Sequence, residues 1–324
     1  MLKIGSVEIQ SNIVTAPLSG CSDLPFRIIC RELGARFCFF EMVDAVSLTR
    51  KHIKTIEMLK TIPEDSPIGA QLLGIDPDMM LHGAQLILEH AKPALIDINS
   101  GCPVKKVVNR GAGAKLLESP ALLASIVKKL ASALPVPVTV KMRIGYDPKY
   151  SLDDTLDLAR ACEGNGAAAL FVHGRLASQK YSGEVNYASI KAVKDAVKIP
   201  VIGSGNILNP VLAKKMLDET GCDGVLAARG ALCNPWLFRE IEHFLKTSVL
   251  MEKPSLSERK TDLIRHLLYI KTLKTPRRAG HMGLMRKVAL WYVTGFPNAA
   301  AVRGNITKTK KYEELVELIE RIGE

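Results

Sequence analysis

The stretch Asp97-Ile98-Asn99-Ser100-Gly101-Cys102-Pro103-Val104-Lys105-Lys106 leads into Asn109-Arg110-Gly111-Ala112-Gly113-Ala114-Lys115, and the reading of the chain turns on it. Ala94 to Ile98 is a short apolar run that reads as a buried strand, and its end enters a Gly-Cys-Pro turn. That order puts the Cys102 thiol at the mouth of whatever sheet the strand joins. A free cysteine is most often a small buried hydrophobe. Here Gly101 and Pro103 leave no regular element to bury it, Asn99 offers an amide, and Lys105 and Lys106 bring positive charge nearby. The Gly- and Ala-rich run to Lys115 reads as a mobile segment suited to a lid.

Outward from this stretch, eight short apolar runs can be read, each followed by a segment of helical character. They are Ile13 to Ala16, Phe37 to Glu41, Ile68 to Leu72, Leu95 to Asn99, Val138 to Met142, Ala168 to His173, Val201 to Gly203 and Gly224 to Ala228. Several are continuous rather than alternating, as expected of strands covered on both faces. Helices are expected at Leu24 to Leu33, Pro77 to Glu89, Ser119 to Leu134, Leu152 to Gly164, Tyr187 to Val197, Pro210 to Glu219 and Pro235 to Phe244. Ser119-Pro120 and Asn209-Pro210 look like N-cap and N1 pairs. The fold class is α/β, and a βα repeat of this length and order predicts a TIM (β/α)8 barrel over residues 1–248.

A barrel of this kind builds its active face from the C-terminal ends of its strands. The residues expected there are Ala16-Pro17-Leu18-Ser19-Gly20, Glu41, Gln71, Asn99 with Cys102, Lys141 with Arg143, His173 with Arg175, Ser204-Gly205-Asn206, and Arg229-Gly230. The last two turns offer backbone N–H groups and an Arg to a phosphate, which implies a phosphorylated cofactor or substrate. Lys141 reads either as a Schiff-base lysine or as a cation facing an anionic ring or phosphate. His173 reads as a general base, a phosphate donor or a satisfied core histidine, and Glu41 as a site carboxylate or an ion-pair partner of a rim Arg or Lys. No Gly-x-Gly-x-x-Gly fingerprint or Walker-type loop is present.

After Lys246 the pattern changes. Met251-Glu252-Lys253-Pro254-Ser255 reads as a linker, and residues 249–324 predict a small helical bundle with helices at Leu256 to Leu273, Gly280 to Tyr292, Ala299 to Ile306 and Tyr312 to Ile322. The net charge of +11 is concentrated here: Arg259 to Lys311 holds thirteen Lys or Arg against the single acid Asp262, and the remainder is close to neutral. Such a run points to a polyanion-binding surface.

The seven cysteines, at 21, 30, 38, 102, 162, 222 and 233, form no Cys-x-x-Cys pair, and no His spacing suits a metal, so neither a disulfide framework nor a metal site is expected. His52, His82, His90, His243 and His266 are read as surface or helix-face residues. No run is long and apolar enough to span a membrane, and Met1 to Gly5 lacks a signal core, so a cytoplasmic protein without membrane contact is expected.

The residues also match a known pattern. Ala16-Pro17-Leu18-Ser19-Gly20-Cys21-Ser22-Asp23-Leu24-Pro25-Phe26-Arg27, Asp97 to Lys106, Val140-Lys141-Met142-Arg143, His173-Gly174-Arg175, Arg229-Gly230-Ala231 and Asn234-Pro235-Trp236 resemble the tRNA-dihydrouridine synthases, most of all the bacterial B type. In the tail, Arg286-Lys287, Trp291-Tyr292, Gly295 and Pro297 are similar to that family's helical domain.

The resemblance implies an FMN-dependent reductase that converts D-loop uridines of tRNA to dihydrouridine with NADPH as the usual electron source; a monomer is expected. By family correspondence FMN would contact Pro17, Leu18, Ser19, Gln71, Lys141, His173, Ser204, Gly205, Asn206, Ala228 and Arg229. Lys141 would then sit as a cation near the electron-rich edge of the flavin. Cys102 looks like the acid that protonates C5 while hydride reaches C6, a role suited to thiols, which generally hold their proton at neutral pH. Asn99 and Arg143 would hold the uracil, and Arg277, Arg278, Arg286 and Lys287 the tRNA. Ser204 and Asn206 stand where many relatives have Asn and Asp, Ala228 where many have Gly, and Val288 where His is frequent.

Two other readings compete: a flavoenzyme acting on a free pyrimidine, resembling a dihydroorotate dehydrogenase, and a noncatalytic RNA-binding protein on a retired barrel. The basic tail counts against the first. The presence of Cys102, Lys141 and His173 together counts against the second.

Overall fold

Successive side chains of a strand point to opposite faces, so in a closed barrel one parity fills the interior and the other packs against the surrounding helices. The computed structural model describes residues 1–275 and 281–323. Its strands are β1 (Leu2–Ile4), β2 (Val7–Ile9), β3 (Ile13–Thr15), β4 (Cys38–Phe39), β5 (Val43–Asp44), β6 (Ile68–Leu73), β7 (Leu95–Ser100), β8 (Val138–Arg143), β9 (Ala169–His173), β10 (Val201–Ser204) and β11 (Gly224–Ala227). From β3 onward they form one parallel sheet in the order β3-β11-β10-β9-β8-β7-β6-β4, with β5 continuing β4 beside the end of β6. The two ends of the sheet meet where the Thr15 N–H donates to the Phe37 carbonyl and the Phe39 N–H to Thr15 Oγ1, each at 3.1 Å. This is the expected TIM barrel.

Two details differ from expectation. The run Phe37 to Glu41 is split: the Phe40 N–H still reaches the Gly69 carbonyl at 2.9 Å, then Glu41 and Met42 leave the sheet before pairing resumes at β5. The antiparallel β1–β2 hairpin is additional, because three-residue strands are too short to display a period. It caps the N-terminal end of the barrel, where Leu2, Ile4 and Ile9 join the interior cluster. Within that cluster Phe37, Phe39 and Phe171 stack edge to face, with ring centroids 5.4 and 5.5 Å apart. Gly69 makes room for them, since a Cβ there would lie 2.5 Å from the Phe39 ring.

The expected barrel helices form within a few residues of their anticipated ends. The Leu152–Gly164 helix starts on a capping box in which Ser151 and Asp154 satisfy each other's backbone N–H groups. The Asn209 side chain caps the Pro210–Thr220 helix, whereas Ser119 makes no side-chain bond to the Pro120–Ala133 helix it precedes.

Beyond residue 255 the helices are Leu256–Leu273, Met282–Tyr292, Ala299–Lys308 and Tyr312–Glu320, the first opened by a Ser255/Glu258 capping box. They share one apolar cluster with Ile29 of the Leu24–Glu32 barrel helix, with Leu33 at its C-cap and with Trp236. The Trp236 indole N–H donates to Asp262 Oδ2 at 2.7 Å, and Phe26 meets Trp291 edge-on. Each such buried aromatic contributes roughly 1.5–3 kcal/mol over leaving it in water, which fixes the bundle against the barrel. Val288, where relatives often carry His, is buried in this core and faces no solvent.

Of the two readings of His266, surface or helix face, the structure gives the second: it lies on the buried face of the Leu256–Leu273 helix in the same core, its Nδ1 3.2 Å from the Tyr292 hydroxyl. Burial pushes it down to about 4, with Asp23 opposing. An unfolded histidine takes its proton near 6.5, so between these values the unfolded chain binds more protons. The contribution is fully present above the unfolded value and is lost as pH falls toward 4. Urea unfolding is expected to lose on the order of 3 kcal/mol from this group over that window. The His266→Gln variant should show a flatter profile; identical profiles would contradict the assignment.

Candidate active site

Strand parity decides which residues meet at the barrel mouth. In register, Gln71 lies beside Asp97, Asp97 beside Thr139, Asn99 beside Lys141, and Arg143 beside His173, which neighbours Ser204. Their alternate neighbours Ile96, Ile98, Val140, Met142 and Val172 pack outward against the helices. One cavity of about 430 Å³ stands over these ends. It is lined by Pro17, Leu18, Ser19, Gln71, Asn99, Cys102, Lys141, Arg143, His173, Ser204, Gly205, Asn206, Ala228 and Arg229, so most of the residues anticipated at the strand ends share one wall, while Gly20, Glu41 and Arg175 lie outside it. Met42, Cys21 and Tyr181 line it too, beyond those anticipated.

The thiol sits on a turn held from below. Asn99 Oδ1 accepts the N–H groups of Gly101 and Cys102 at 3.1 and 3.0 Å, and its Nδ2 donates to Gln71 Oε1 at 2.7 Å and to Met42 Sδ at 3.1 Å. Arg143 Nε donates to the Gly101 carbonyl and Nη1 to the Leu176 carbonyl, each at 2.9 Å. The run after Cys102 is not a free lid. It forms the Lys105–Val108 and Gly113–Glu118 helical turns, buries Ala112, Ala114, Leu116 and Leu117, and returns the Ala114 N–H to the Cys102 carbonyl at 3.0 Å. Gly and Ala serve here for close packing: Gly113 has φ +62°, and a Cβ on it would lie 2.7 Å from the Cys102 carbonyl oxygen. Lys105 and Lys106 face solvent.

The motif around Cys21 divides its work. Arg27, fully buried, donates to Asp65 at 2.7 Å and to the Ser22 carbonyl at 2.7 Å, and Ser22 Oγ accepts the Leu18 N–H at 2.9 Å. Arg27 thus anchors the cavity loop without reaching the cavity. Among the described residues Glu41 makes no rim ion pair; its carboxylate, pushed up by burial, accepts the Gly20 N–H.

The electrostatics point to an anionic guest. Burial, then Lys141, Arg143, Arg175 and Arg229, push His173 down to about 2, so the imidazole is neutral. Arg175 can only donate, so His173 Nε2, 3.4 Å from it, is the acceptor and Nδ1 carries the hydrogen. Burial and Arg143 also push the Lys141 ammonium down, with Asp97 opposing, and Lys141 makes no hydrogen bond among the described residues. Asn206, at φ +52°, accepts from Arg175 at 3.1 Å and from Arg229 at 3.4 Å, and a neutral amide suffices for both bonds. Arg143 and Arg229 both lie over the Tyr181 ring, at 5.9 and 4.9 Å, and Tyr181 is 56% exposed at the rim. Several cations and one neutral donor, with no carboxylate bonded to them among the described residues, form a cradle that fits a phosphate and an electron-rich ring.

The tail cations are dispersed by contrast. Arg286 donates to the Thr309 carbonyl at 2.7 Å, and Lys287 crosses to the Gly20 carbonyl of the cavity loop. Lys271 and Lys274 pair with Glu313 and Asp23. Arg277 and Arg278 lie outside the described residues. Arg303, Lys308 and Lys310 are exposed. Among the described residues no helix is long and apolar enough to cross a membrane, and no group of His, Cys, Asp and Glu could hold a metal.

Gly113→Ala should lower stability in urea by about 1–3 kcal/mol and change the rate at which iodoacetamide alkylates Cys102. Wild-type values for both would mean the turn is not packed as described.

Comparison with known proteins gives this site its family. The model of the dihydrouridine synthase (Dus) family matches residues 14–322. A probable tRNA-dihydrouridine synthase of Rickettsia bellii is 36% identical over 312 residues, spanning 94% of this chain and 93% of that one. The tRNA-dihydrouridine synthase B of Pseudomonas putida is 37% identical over 305 residues, 93% of this chain and 88% of that one. Among solved structures, a 2-naphthoyl-CoA reductase (TM-score 0.59, 10% identity) is similar over 75% of this chain. The histamine dehydrogenase of Rhizobium sp. 4-9 (TM-score 0.59, 13% identity) is similar over 82%. This chain spans about half the length of each, 51% and 50%, and the likeness is one of fold. With a family model covering the chain from β3 to the last helix, and relatives matched almost end to end, the protein belongs to the tRNA-dihydrouridine synthase family.

Proposed function

We propose that the protein reduces the C5–C6 double bond of D-loop uridines in tRNA, drawing electrons from NADPH through bound FMN, in the cytoplasm. The observation that carries this reading is a thiol fixed on a turn at the wall of the same cavity as the Lys141 ammonium, which makes no hydrogen bond among the described residues, and a neutral histidine. In this reading Pro17, Leu18, Ser19 and Gln71 would help hold the flavin, and Lys141 would favour negative charge on it. His173 Nδ1–H, the Ser204-Gly205-Asn206 turn, Ala228 and Arg229 receive the phosphate. When bound and reduced, FMN supplies the hydride that adds to C6 of the uracil.

The chain's own residues do the rest. Cys102 gives its proton to C5, and the Asn99-held turn keeps the sulfur in place for it. Arg143 has Nε and Nη1 engaged by carbonyls, so Nη2 is left for a uracil oxygen. Among the described residues the second Asn99 N–H meets only a thioether, a weak acceptor that a uracil oxygen would displace. The uridine must leave its stack to enter, at a cost of a few kcal/mol that is smallest for unpaired loop nucleotides. Phosphate contacts from the basic bundle offset this cost.

An unmodified tRNA transcript incubated with the protein, FMN and NADPH should gain two hydrogens on a loop uridine by mass spectrometry. Cys102→Ala should retain flavin and its reduction by NADPH yet lose most of this gain. A full gain in the variant would remove the thiol from the reaction, and no gain in the wild type with NADPH consumed would favour a small-molecule substrate. Neutralising Arg303, Lys308 and Lys310 together should weaken tRNA binding and reduce its salt slope by roughly 0.7–0.9 for each phosphate the variant no longer neutralises. An unchanged slope would place the RNA surface elsewhere.

A further inference from the structure

Asp97 takes part in no step proposed above, yet it is fully buried and both its oxygens are engaged. Thr139 Oγ1 donates to Oδ1 and Gln71 Nε2 to Oδ2, each at 2.7 Å. Gln71 Oε1 in turn accepts from Asn99 Nδ2 at 2.7 Å, and Asn99 Oδ1 accepts the Gly101 and Cys102 N–H groups. The bonds form one directed chain across β6, β7 and β8.

We propose that Asp97 is a positioning residue which, through Gln71, fixes the way the Asn99 amide faces and so holds the turn that presents Cys102. The direction of each bond follows from the one before it. An ionised carboxylate only accepts, so Gln71 must turn its NH2 toward Asp97 and its oxygen toward Asn99. That oxygen obliges Asn99 to turn its NH2 inward and its oxygen to the Cys102 turn. Reversing any link sets two donors or two acceptors face to face at a buried contact, where an unmade bond carries its full desolvation cost.

Because Gln71 lines the cavity while Asp97 does not, the direction is imposed from outside the ligand's reach. An Asn at position 97 can preserve it: the carbonyl oxygen accepts from Gln71, and the amide donates to Thr139, whose hydroxyl can accept as well as donate. A Leu at position 97 fills similar space and offers no acceptor, which frees Gln71 to turn over.

The test compares Asp97→Asn and Asp97→Leu by the rate of Cys102 alkylation with iodoacetamide, followed by peptide mass spectrometry, and by the rate of tRNA reduction. Flavin reduction by NADPH is read alongside. Asp97→Leu should change alkylation by about tenfold or more and lower tRNA reduction by a similar factor, while Asp97→Asn stays within about threefold of wild type in both. Wild-type alkylation in a folded, flavin-loaded Asp97→Leu protein would overturn the proposal. So would an Asp97→Asn protein as impaired as Asp97→Leu, since charge rather than bond direction would then be required.

If Asp97→Leu does not fold, Gln71→Leu breaks the chain one link nearer the thiol: the same change in alkylation is expected, and none would overturn the proposal. Only the kinetic arm rests on Cys102 being the proton donor. A wild type inactive on tRNA whose Cys102 alkylation still follows the Asp97 pattern would reject the proposed function and support the relay.

Discussion

Below the mouth of a parallel barrel an inward-facing polar side chain is packed away from bulk solvent and finds its partners on neighbouring strands or leaves buried donors and acceptors unpaired. Asp97 on β7 satisfies this constraint through Thr139 on β8 and Gln71 on β6, one on either side. From that point upward the interior changes character. Below it lie Phe37, Phe39 and Phe171, closed off by the β1–β2 hairpin, and above it lie Asn99, Lys141, Arg143 and His173 around the cavity. The carboxylate marks the boundary between a packed floor and a reactive mouth. It is the only acid among these inward-facing strand residues, and it stands beneath a cluster of cations.

Those cations explain much of the mouth's chemistry. Burial, reinforced by Lys141, Arg143, Arg175 and Arg229 around it, keeps His173 neutral, so the ring serves as a directional donor rather than a further charge. Arg143 and Arg175 are tied to backbone carbonyls, which fixes their positions without cancelling their charge. The same device recurs in the bundle, where Arg259, Lys260 and Arg286 hold carbonyls at helix ends. The positive field of the tail is therefore built on a scaffold of the same side chains that produce it.

Most of the barrel is legible in the sequence because its strands are long apolar runs punctuated by caps and turns. Ile68–Leu73, Leu95–Ser100 and Val138–Arg143 appear within one residue of expectation. The cavity wall is legible because strand-end position alone selects it. What the sequence hides is set by tertiary geometry. Tyr181 and Met42 lie in irregular segments with no period, and His266 carries no local sign that Tyr292 and Phe26 enclose it. The Gly-rich run after Cys102 looks mobile for the reason that makes it rigid, since small residues permit the close approach of Gly113 to the thiol's backbone. Asp97 reads in the sequence as one letter of a motif, and only the register with Gln71 and Thr139 gives it a task.

In the proposed reaction the Cys102 thiol, on its fixed turn, protonates the carbon next to the one that receives the hydride. The most direct measurement mixes anaerobic, pre-reduced protein with unmodified tRNA and follows the return of oxidised-flavin absorbance in wild type and Cys102→Ala. Reoxidation is expected to depend on tRNA and to slow by about tenfold or more when the thiol is removed. Equal rates in the two proteins would contradict the claim.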